Sequence, residues 1–146
     1  MSEEKIESVI RSFIEAFEKK DVEKALSFLT EDAVWLAPEG RFKGKEELKR
    51  YMTWMAQYAP DLKMRDTGIG IMVKGNKAVY EYIIESSVED TKYETPGICV
   101  YEFSDEKIQY HRAVYDRLSI GRQVAKGWLA KRMVRSFIEQ AEKGLR

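Results

Sequence analysis

Residues 13–40, FIEAFEKKDVEKALSFLTEDAVWLAPEG, contain three structural elements in close succession. The apolar residues up to Phe17 recur every three or four positions, which predicts one buried face of a first helix. Asp21 is a typical helix N-cap residue and predicts a short second helix. The stretch DAVWLAP then alternates like a β-strand, and Pro38 and Gly40 predict a turn that ends it.

The chain continues from this stretch with one more helix and a set of strands. KEELKRYMTWMAQYAP predicts a third helix, which Pro60 ends. Four strand-like segments follow, and turns at Gly75 and at residues 104–106 would join them as antiparallel hairpins. The glycines of the first of these segments and the pair Pro96-Gly97 predict β-bulges. Helices followed by a long antiparallel meander predict an α+β fold, in which the three N-terminal helices cover one face of a curved sheet.

Length and charge limit the classes of function. A chain of 146 residues is one domain of ordinary size. It carries 25 basic and 25 acidic residues, which argues against a nucleic-acid partner because such a domain needs a basic excess. Residues 121–146 nevertheless hold seven basic and two acidic residues, a net charge of +5, so residues 1–120 carry −5.

The counts of cysteine and histidine limit the chemistry. Cys99 is the single cysteine, which excludes a disulfide within the chain and fits a reducing compartment. One histidine cannot build a multi-histidine metal site, so we expect no metal and no cofactor. The N-terminal sequence MSEEKIESV lacks the features of a secretory signal, and no apolar stretch approaches the length of a membrane span. We therefore expect a cytoplasmic protein without a membrane partner.

Three motifs resemble the nuclear transport factor 2-like superfamily, whose fold is a cone. FIEAFEKKDVEKALSFLTEDAVWLAPEG is similar to the superfamily's opening, and FKGKEELKRYM to its next helix. VYDRLSIGRQV is similar to the ending Y-[YF]-D-x-[LM]-x-[LI]-x-R-Q of SnoaL-like polyketide cyclases. The resemblance covers residues 5–124. It implies a curved sheet and helices that enclose a conical cavity suited to a small molecule, although one fold can host unrelated activities.

The ketosteroid isomerases of this superfamily provide a first set of positions to compare. Their oxyanion tyrosine aligns with Phe13, their catalytic aspartate with Ala37, and their second oxyanion donor with Cys99. Their mechanism is a standard example of acid/base tuning by burial, and it needs the groups that this chain lacks. The resemblance therefore does not extend to ketosteroid isomerase activity.

The SnoaL-like pattern implies a different catalytic group, the aspartate of the closing Y-D segment, which corresponds to Asp116. Such cyclases need no metal or cofactor, and a carboxylate in an apolar wall has a raised pKa suited to proton transfer. The alternative is structural: Asp116 could cap the following helix or pair with a nearby arginine. Strand alternation turns Asp116 outward unless the strand ends there.

The same alternation turns His111, the only histidine, towards the cavity. Its unperturbed pKa near neutrality suits a proton-transfer role, and we take His111 and Asp116 as the candidate catalytic pair. A buried structural histidine is the alternative. Seven further side chains are candidates for the lining of a substrate pocket, although aromatic stripes also occur in ordinary cores: Trp35, Tyr51, Met55, Tyr82, Cys99, Tyr101 and Tyr115.

The C-terminal segment, residues 121–146, extends beyond the part that resembles the superfamily. Val134, Phe137 and Ile138 belong to an apolar stripe flanked by lysine and arginine, which predicts one extra amphipathic helix. We expect this basic extension to pack on the acidic domain of residues 1–120 or on a second subunit, and we therefore expect a homodimer.

The sequence thus predicts a SnoaL-like protein that binds a small, largely apolar or polycyclic molecule in its cone. It could carry out cofactor-free acid/base chemistry of the cyclase, isomerase or hydrolase type. The alternative is a non-catalytic module that binds a ligand or another protein. An open pocket with His111 beside a carboxylate favours the enzyme, and a cavity filled by its own side chains favours the module.

Overall fold

The computed structural model describes residues 1–145 and contains five helices and six strands. The helices are α1 (Glu3–Glu18), α2 (Val22–Ser27), α3 (Gly44–Tyr58), α4 (Arg117–Val124) and α5 (Gly127–Ala141). The strands are β1 (Leu29–Ala37), β2 (Gly40–Lys43), β3 (Lys63–Lys74), β4 (Lys77–Val88), β5 (Thr91–Ser104) and β6 (Lys107–Tyr115). All strands join one sheet in the order β2-β1-β6-β5-β4-β3. The predicted α+β cone with three N-terminal helices is confirmed.

The helices form where the sequence places caps and apolar stripes. At the start of α1, the Ser2 hydroxyl accepts a hydrogen bond from the Lys5 amide. At the start of α2, the Asp21 carboxylate accepts one from the Lys24 amide. The buried face of α1 includes Ile6, Val9, Ile10, Phe13 and Ile14, as the spacing predicts. This face packs with the inner face of the sheet in a single hydrophobic core.

One feature of the sheet differs from the prediction. Four of its five strand pairs are antiparallel, but β1 runs parallel to β6, so the sheet is mixed. Strand alternation in the sequence determines which side chains face inward and carries no information on the direction of a neighbouring strand. The pairing of β1 with a strand about 75 residues later is therefore decided by tertiary packing.

The turn predicted at Pro38 and Gly40 is present, and it joins β1 to the short strand β2 in a tight hairpin. Ala37 pairs with Gly40, so only Pro38 and Glu39 lie in the turn, and the short strand β2 follows. Gly40 has a φ of +144°, a conformation that residues with a Cβ rarely adopt. This hairpin sets the position of Glu39 at one end of the sheet.

The predicted bulges are found in one place and absent in another. The β3–β4 register shifts between Asp66 and Ile71, where Gly68 and Gly70 have positive φ values. In contrast, the β4–β5 register is continuous through Pro96 and Gly97, so the prediction of a bulge there was wrong. Position 97 instead requires a glycine for packing, because a Cβ there would lie 2.7 Å from the Tyr82 ring.

The C-terminal extension consists of two helices, where the sequence predicted one. The expected boundary after residue 120 falls inside α4. The Gln123 side chain links α4 to β5 by two hydrogen bonds. It donates one of 2.8 Å to the Glu94 carbonyl and accepts one of 3.1 Å from the Glu94 amide. In contrast, α5 packs on α4 and buries none of its residues in the described part of the chain.

Candidate active site in the cone

The inner face of the sheet, α1 and α3 enclose a narrow apolar cavity. Its volume is about 40 Å³, enough for one or a few water-sized groups. The structure places eight of the nine candidate site residues in its wall: Trp35, Tyr51, Met55, Tyr82, Cys99, Tyr101, His111 and Tyr115. The ninth, Asp116, is not part of this wall. Inward alternation on β1, β4, β5 and β6 explains the arrangement.

The cavity is small because aromatic rings fill the interior. The His111 ring centroid lies 4.1 Å from that of Trp35 and 4.5 Å from that of Tyr101. The Phe13 ring meets His111 edge-on, with centroids 5.8 Å apart. Such ring pairs stabilise the core beyond simple burial. The interior is therefore largely occupied by its own side chains.

His111 is neutral in this environment. Its side chain is 3 % exposed, and neither Nδ1 nor Nε2 has a hydrogen-bond partner among residues 1–145. Burial lowers the pKa of the imidazole to about 3 because the charged form loses its hydration. No carboxylate of residues 1–145 forms a hydrogen bond with the ring. Near neutral pH the uncharged imidazole can therefore donate one hydrogen bond through one nitrogen and accept one through the other.

Asp116 lies at the start of α4. Its carboxylate accepts a hydrogen bond of 2.9 Å from the Ser119 amide, so Asp116 is the N-cap of α4. This is the structural role that the sequence analysis named as the alternative to catalysis. The side chain is exposed and does not line the cavity. The structure therefore does not bring Asp116 and His111 together as a pair.

Cys99 lies in the cavity wall as a buried thiol. Burial raises the pKa of this thiol to about 11. Its Sγ lies 3.2 Å from the Tyr82 hydroxyl, and either group can be the donor. The thiol thus remains protonated near neutral pH and acts as a small wall residue rather than as a nucleophile.

A wider pocket opens at the mouth of the cone, between α3, α4 and the ends of β4 to β6. Its volume is about 290 Å³, at the lower limit for drug-sized ligands. It shares Met55, Leu62, Ile84 and Tyr115 with the wall of the inner cavity, so the two spaces are adjacent. Ile120 and Val124 of α4 complete the mouth, which is therefore formed partly by the C-terminal extension.

Glu39 is the carboxylate of this mouth, and sequence reasoning missed it. The Tyr51 hydroxyl donates to Oε2 of Glu39 at 2.9 Å, and the Tyr115 hydroxyl donates to Oε1. The Glu39 side chain is only 16 % exposed, and the Arg117 guanidinium lies 4.0 Å from Oε1. One sequence signal could have found it: Glu39 continues the inward alternation of Trp35 and Ala37.

The two tyrosines beside Glu39 remain protonated. Burial is the main cause that raises the pKa of both phenols well above the ordinary value, and the adjacent Glu39 raises both further. They therefore act as hydrogen-bond donors to the carboxylate. Since an ionised carboxylate has about four acceptor sites, Glu39 retains capacity for a ligand proton.

The described residues were also compared with the requirements of a metal site. Within residues 1–145, no group of three or more His, Cys, Asp or Glu side chains is arranged to hold a metal ion. A separate feature concerns membranes: none of the helices in that range is both long and apolar enough to cross a bilayer.

Comparison with known proteins identifies the family. Residues 10–111 match the SnoaL-like domain, so the chain belongs to this family. No curated protein matches the sequence. The match ends at His111, within β6, and does not include α4 or α5.

Solved structures share the fold at low sequence identity. A candidate polyketide cyclase from Xanthomonas campestris pv. campestris superposes with a TM-score of 0.74 at 19% identity, over 82% of this chain and 96% of that chain. A protein from Catenulispora acidiphila with a ketosteroid isomerase-like fold, in complex with trimethylamine, has a TM-score of 0.74 at 11% identity, over 82% and 93%. TerC, co-crystallised with polyporic acid, has a TM-score of 0.73 at 16% identity, over 84% and 99%. At these identities the likeness concerns the fold.

Proposed function

We propose that this SnoaL-like protein binds a small, largely apolar molecule at the mouth of its cone and acts on it by cofactor-free acid/base chemistry. The observation that carries the proposal is Glu39, a mostly buried carboxylate held by two tyrosine hydroxyls beside an apolar pocket. A fixed carboxylate at such a place can serve as a general base. The neighbours described as a candidate polyketide cyclase and as a complex with polyporic acid support a small organic ligand.

The reaction class follows from the groups present. Glu39 removes a proton from a carbon next to a ligand carbonyl, and the electron pair of the C–H bond moves to the carbonyl oxygen as an enolate. Return of that proton to another carbon gives an isomer. Attack of the enolate carbon on a second carbonyl, followed by return of the proton to the new alkoxide, gives a ring. Tyr51 and Tyr115 hold the carboxylate in place throughout.

The two residues that the sequence selected have different parts in this proposal. His111 is a neutral wall group of the inner cavity. Asp116 would act through structure, since its cap fixes the start of α4, which borders the mouth. A direct catalytic role of Asp116 stays a prediction of the family resemblance.

An exchange experiment with a model ketone tests the proposal. 2-Indanone is a compact apolar ketone with acidic protons beside its carbonyl, and NMR in D₂O follows their replacement by deuterium. We expect the protein to accelerate this exchange and Glu39→Gln to abolish the acceleration. Glu31→Gln is the matched control, because Glu31 is 85% exposed and pairs with Lys45 on the surface. Equal acceleration by wild type and the Glu39→Gln variant would refute the role of Glu39.

The non-catalytic module remains a second candidate, supported by the small, ring-filled inner cavity of about 40 Å³. The same experiment separates the two functions. Binding of 2-indanone, measured by line broadening, without accelerated exchange would favour a ligand-binding module. Absence of binding would favour a protein-interaction module.

We also propose that two copies associate through α5. The apolar residues Leu129, Met133 and Phe137 lie on one side of this helix and are 57%, 65% and 63% exposed. The extension carries +5 and the rest of the chain −5, so the helix of one copy and the body of another attract each other. The expected homodimer would therefore cover a face that the helix leaves open within its own chain.

A further inference from the structure

The wall of the mouth pocket contains two charged residues, Glu39 and Arg117, and its other lining residues are uncharged. The Nε of Arg117 lies 4.0 Å from Oε1 of Glu39. This distance is longer than a hydrogen bond, so the guanidinium offsets the charge of the carboxylate without donating a hydrogen bond from Nε to that oxygen. A guanidinium has five N–H donors. Arg117 can therefore offer donors and a positive charge to a ligand in the mouth.

The position of Arg117 is fixed by α4, of which it is the first residue. The Asp116 cap sets the start of this helix, and Gln123 holds the helix against Glu94 of β5. The Arg117 side chain is 61% exposed and thus lies at the rim of the mouth, whereas Glu39 lies deeper. Exposed side chains change rotamer within about picoseconds to nanoseconds. The guanidinium can therefore follow a negative charge that moves within the pocket.

The proposed reaction moves such a charge. Before the reaction the negative charge lies on the carboxylate of Glu39. The hydroxyls of Tyr51 and Tyr115 donate to it there, and Arg117 lies beside it. When Glu39 takes the proton from carbon, its carboxyl group becomes neutral, and the charge passes to the carbonyl oxygen of the ligand as an enolate. An anion without a counter-charge is strongly unfavourable in an apolar pocket.

We infer that Arg117 is the residue that stabilises this enolate. Proton transfer to Glu39 releases the guanidinium from its carboxylate partner and creates a new anionic partner, the enolate oxygen. That oxygen is two bonds away from the carbon that loses the proton, so a ligand placed against Glu39 brings it close to Arg117. A cation placed where charge develops lowers the barrier of the reaction. The inference rests on the proposed acid/base function, and it makes Arg117 a second catalytic residue because its guanidinium contacts the reacting oxygen.

The same arrangement gives the pocket different preferences before and after proton transfer. In the resting protein Glu39 and Arg117 balance each other, so the mouth favours a neutral carbonyl compound. Once Glu39 is protonated, Arg117 has no carboxylate partner and favours an anion. The variant Glu39→Gln imitates this second state, because glutamine is uncharged and has nearly the same shape.

The exchange of 2-indanone protons in D₂O tests the role of Arg117 during turnover. Measured at several ketone concentrations, it gives a rate constant at saturation and an apparent dissociation constant. For Arg117→Gln we expect the rate constant to fall about tenfold, less than on loss of a buried oxyanion donor because the guanidinium is partly solvated. The apparent dissociation constant should change by less than about twofold, since Arg117 acts on the enolate rather than on the neutral ketone.

Two further variants separate the position of the charge from its presence. Arg117→Lys keeps a positive charge at the rim and should retain part of the rate. Arg122→Gln is the matched control, because Arg122 is an exposed arginine of the same helix that does not line the mouth. This variant removes the same charge and should leave the rate constant and the dissociation constant unchanged.

Binding of a stable anion tests the inference without turnover. 4-Nitrophenolate resembles an enolate, since its negative oxygen is attached to an unsaturated carbon, and its absorbance reports binding. We expect Glu39→Gln to bind it about tenfold more tightly than wild type, because the anion replaces the carboxylate beside Arg117. Adding Arg117→Gln should remove this gain, whereas adding Arg122→Gln should retain it. Thermal unfolding verifies that each variant is folded.

The outcomes distinguish the role of Arg117 from that of Glu39. If exchange depends on Glu39 but has the same rate in wild type and Arg117→Gln, the role of Arg117 is refuted and the proposed function stands. A gain in phenolate binding that survives Arg117→Gln also refutes it. If the wild-type protein does not accelerate exchange, the acid/base function is refuted together with this inference.

Discussion

Trp35 and His111 are partners across the parallel strands β1 and β6, with ring centroids 4.1 Å apart and ring planes inclined by 37°. This contact determines the state of the only histidine. An aromatic neighbour gives the imidazolium no hydrogen bond, so burial keeps the ring neutral. His111, the candidate acid/base residue of the sequence, is thus a neutral member of the cavity wall, and its catalytic role stays a prediction.

The neutral state of His111 predicts how stability depends on pH. Its folded-state pKa of about 3 lies below the ordinary value of 6.5, so between these values the unfolded chain binds a proton that the folded chain does not. The free energy of unfolding should therefore decrease as pH falls through this window, by at most ~1.4 kcal/mol per pH unit. Urea titrations of wild type and His111→Gln measure it.

In the His111→Gln variant, the free energy of unfolding should lose the part of its pH dependence that comes from the imidazole. Asp61 and Asp66 have lowered pKa values and also weaken the fold on acidification, but they contribute equally to both proteins. Tyr101→Phe, beside His111, should retain the wild-type slope. Identical slopes for wild type and His111→Gln would show that the imidazole is not held neutral.

Substitution of Gly97 by a larger residue should disturb the packing of the core. A Cβ there would lie 2.7 Å from the Tyr82 ring and 2.9 Å from its hydroxyl oxygen. The ring has little freedom to move, since it stacks on Tyr80 and its hydroxyl contacts Cys99. Gly97→Ala should therefore lower the free energy of unfolding by about 1–3 kcal/mol.

Gly121 offers a control for this substitution. It lies within α4, and a Cβ there would meet nothing within 4 Å. Gly121→Ala should stabilise the protein by about 0.5–1 kcal/mol, because alanine is the better helix former. Chemical unfolding of both variants checks the pair. A neutral Gly97→Ala would mean that the Tyr82 ring is freely displaceable.

The ion pair between Arg11 and Asp66 joins α1 to the bulged strand β3. Two guanidinium nitrogens lie 2.7 Å from the two carboxylate oxygens, and the Tyr80 hydroxyl donates to the same carboxylate at 2.9 Å. Both charged side chains are about half exposed, so solvent screens the pair. We expect Arg11→Lys, which cannot bind in the bidentate way, to cost about 0.5–1 kcal/mol.

A double-mutant cycle measures this pair directly. Arg11→Lys, Asp66→Asn and the double variant are compared by urea unfolding. A coupling free energy near zero would mean that the contact contributes nothing in solution. The i,i+4 pair of Lys19 and Glu15 is more exposed, at the C-terminal end of the same helix, and provides a reference expected to show weaker coupling.

Removal of α5 tests the proposed dimer. Truncation after Ala125 retains α4 and its contacts with Glu94, so the mouth pocket stays intact. We expect the truncated protein to sediment as a monomer and the full chain as a dimer. Phe137→Ser should also weaken association, whereas Glu139→Gln, a change of a polar residue on the same helix, should not. A dimer that survives truncation would place the interface elsewhere.

The family and the limits of the first three helices were accessible from the sequence because they depend on local features. Apolar spacing indicated the buried face of α1, and Asp21 indicated the cap of α2. Alternation correctly turned His111 and Tyr101 inward. Each of these signals is contained in a few neighbouring residues, where short-range sterics and solvent exposure decide the conformation.

Glu39 shows the limit of such reasoning. Its importance comes from Tyr51 and Tyr115, which lie 12 and 76 residues away in the chain. Asp116 was easier to select from the sequence because it belongs to a recognisable motif. Its carboxylate, however, accepts a hydrogen bond from the amide of Ser119, only three residues later. Long-range hydrogen bonds leave no periodic trace in the sequence.

The SnoaL-like cone, the helices and strands that build it and the side chains that face inward can all be inferred from the order of the amino acids, because backbone preference and the periodicity of burial are encoded locally. Three features required the folded chain: β1 runs parallel to β6, Glu39 rather than Asp116 stands at the mouth, and Trp35, His111 and Tyr101 meet in one row. These features depend on how distant segments pack against each other, and a hydrogen bond or ring contact between such segments exists only once the chain has folded.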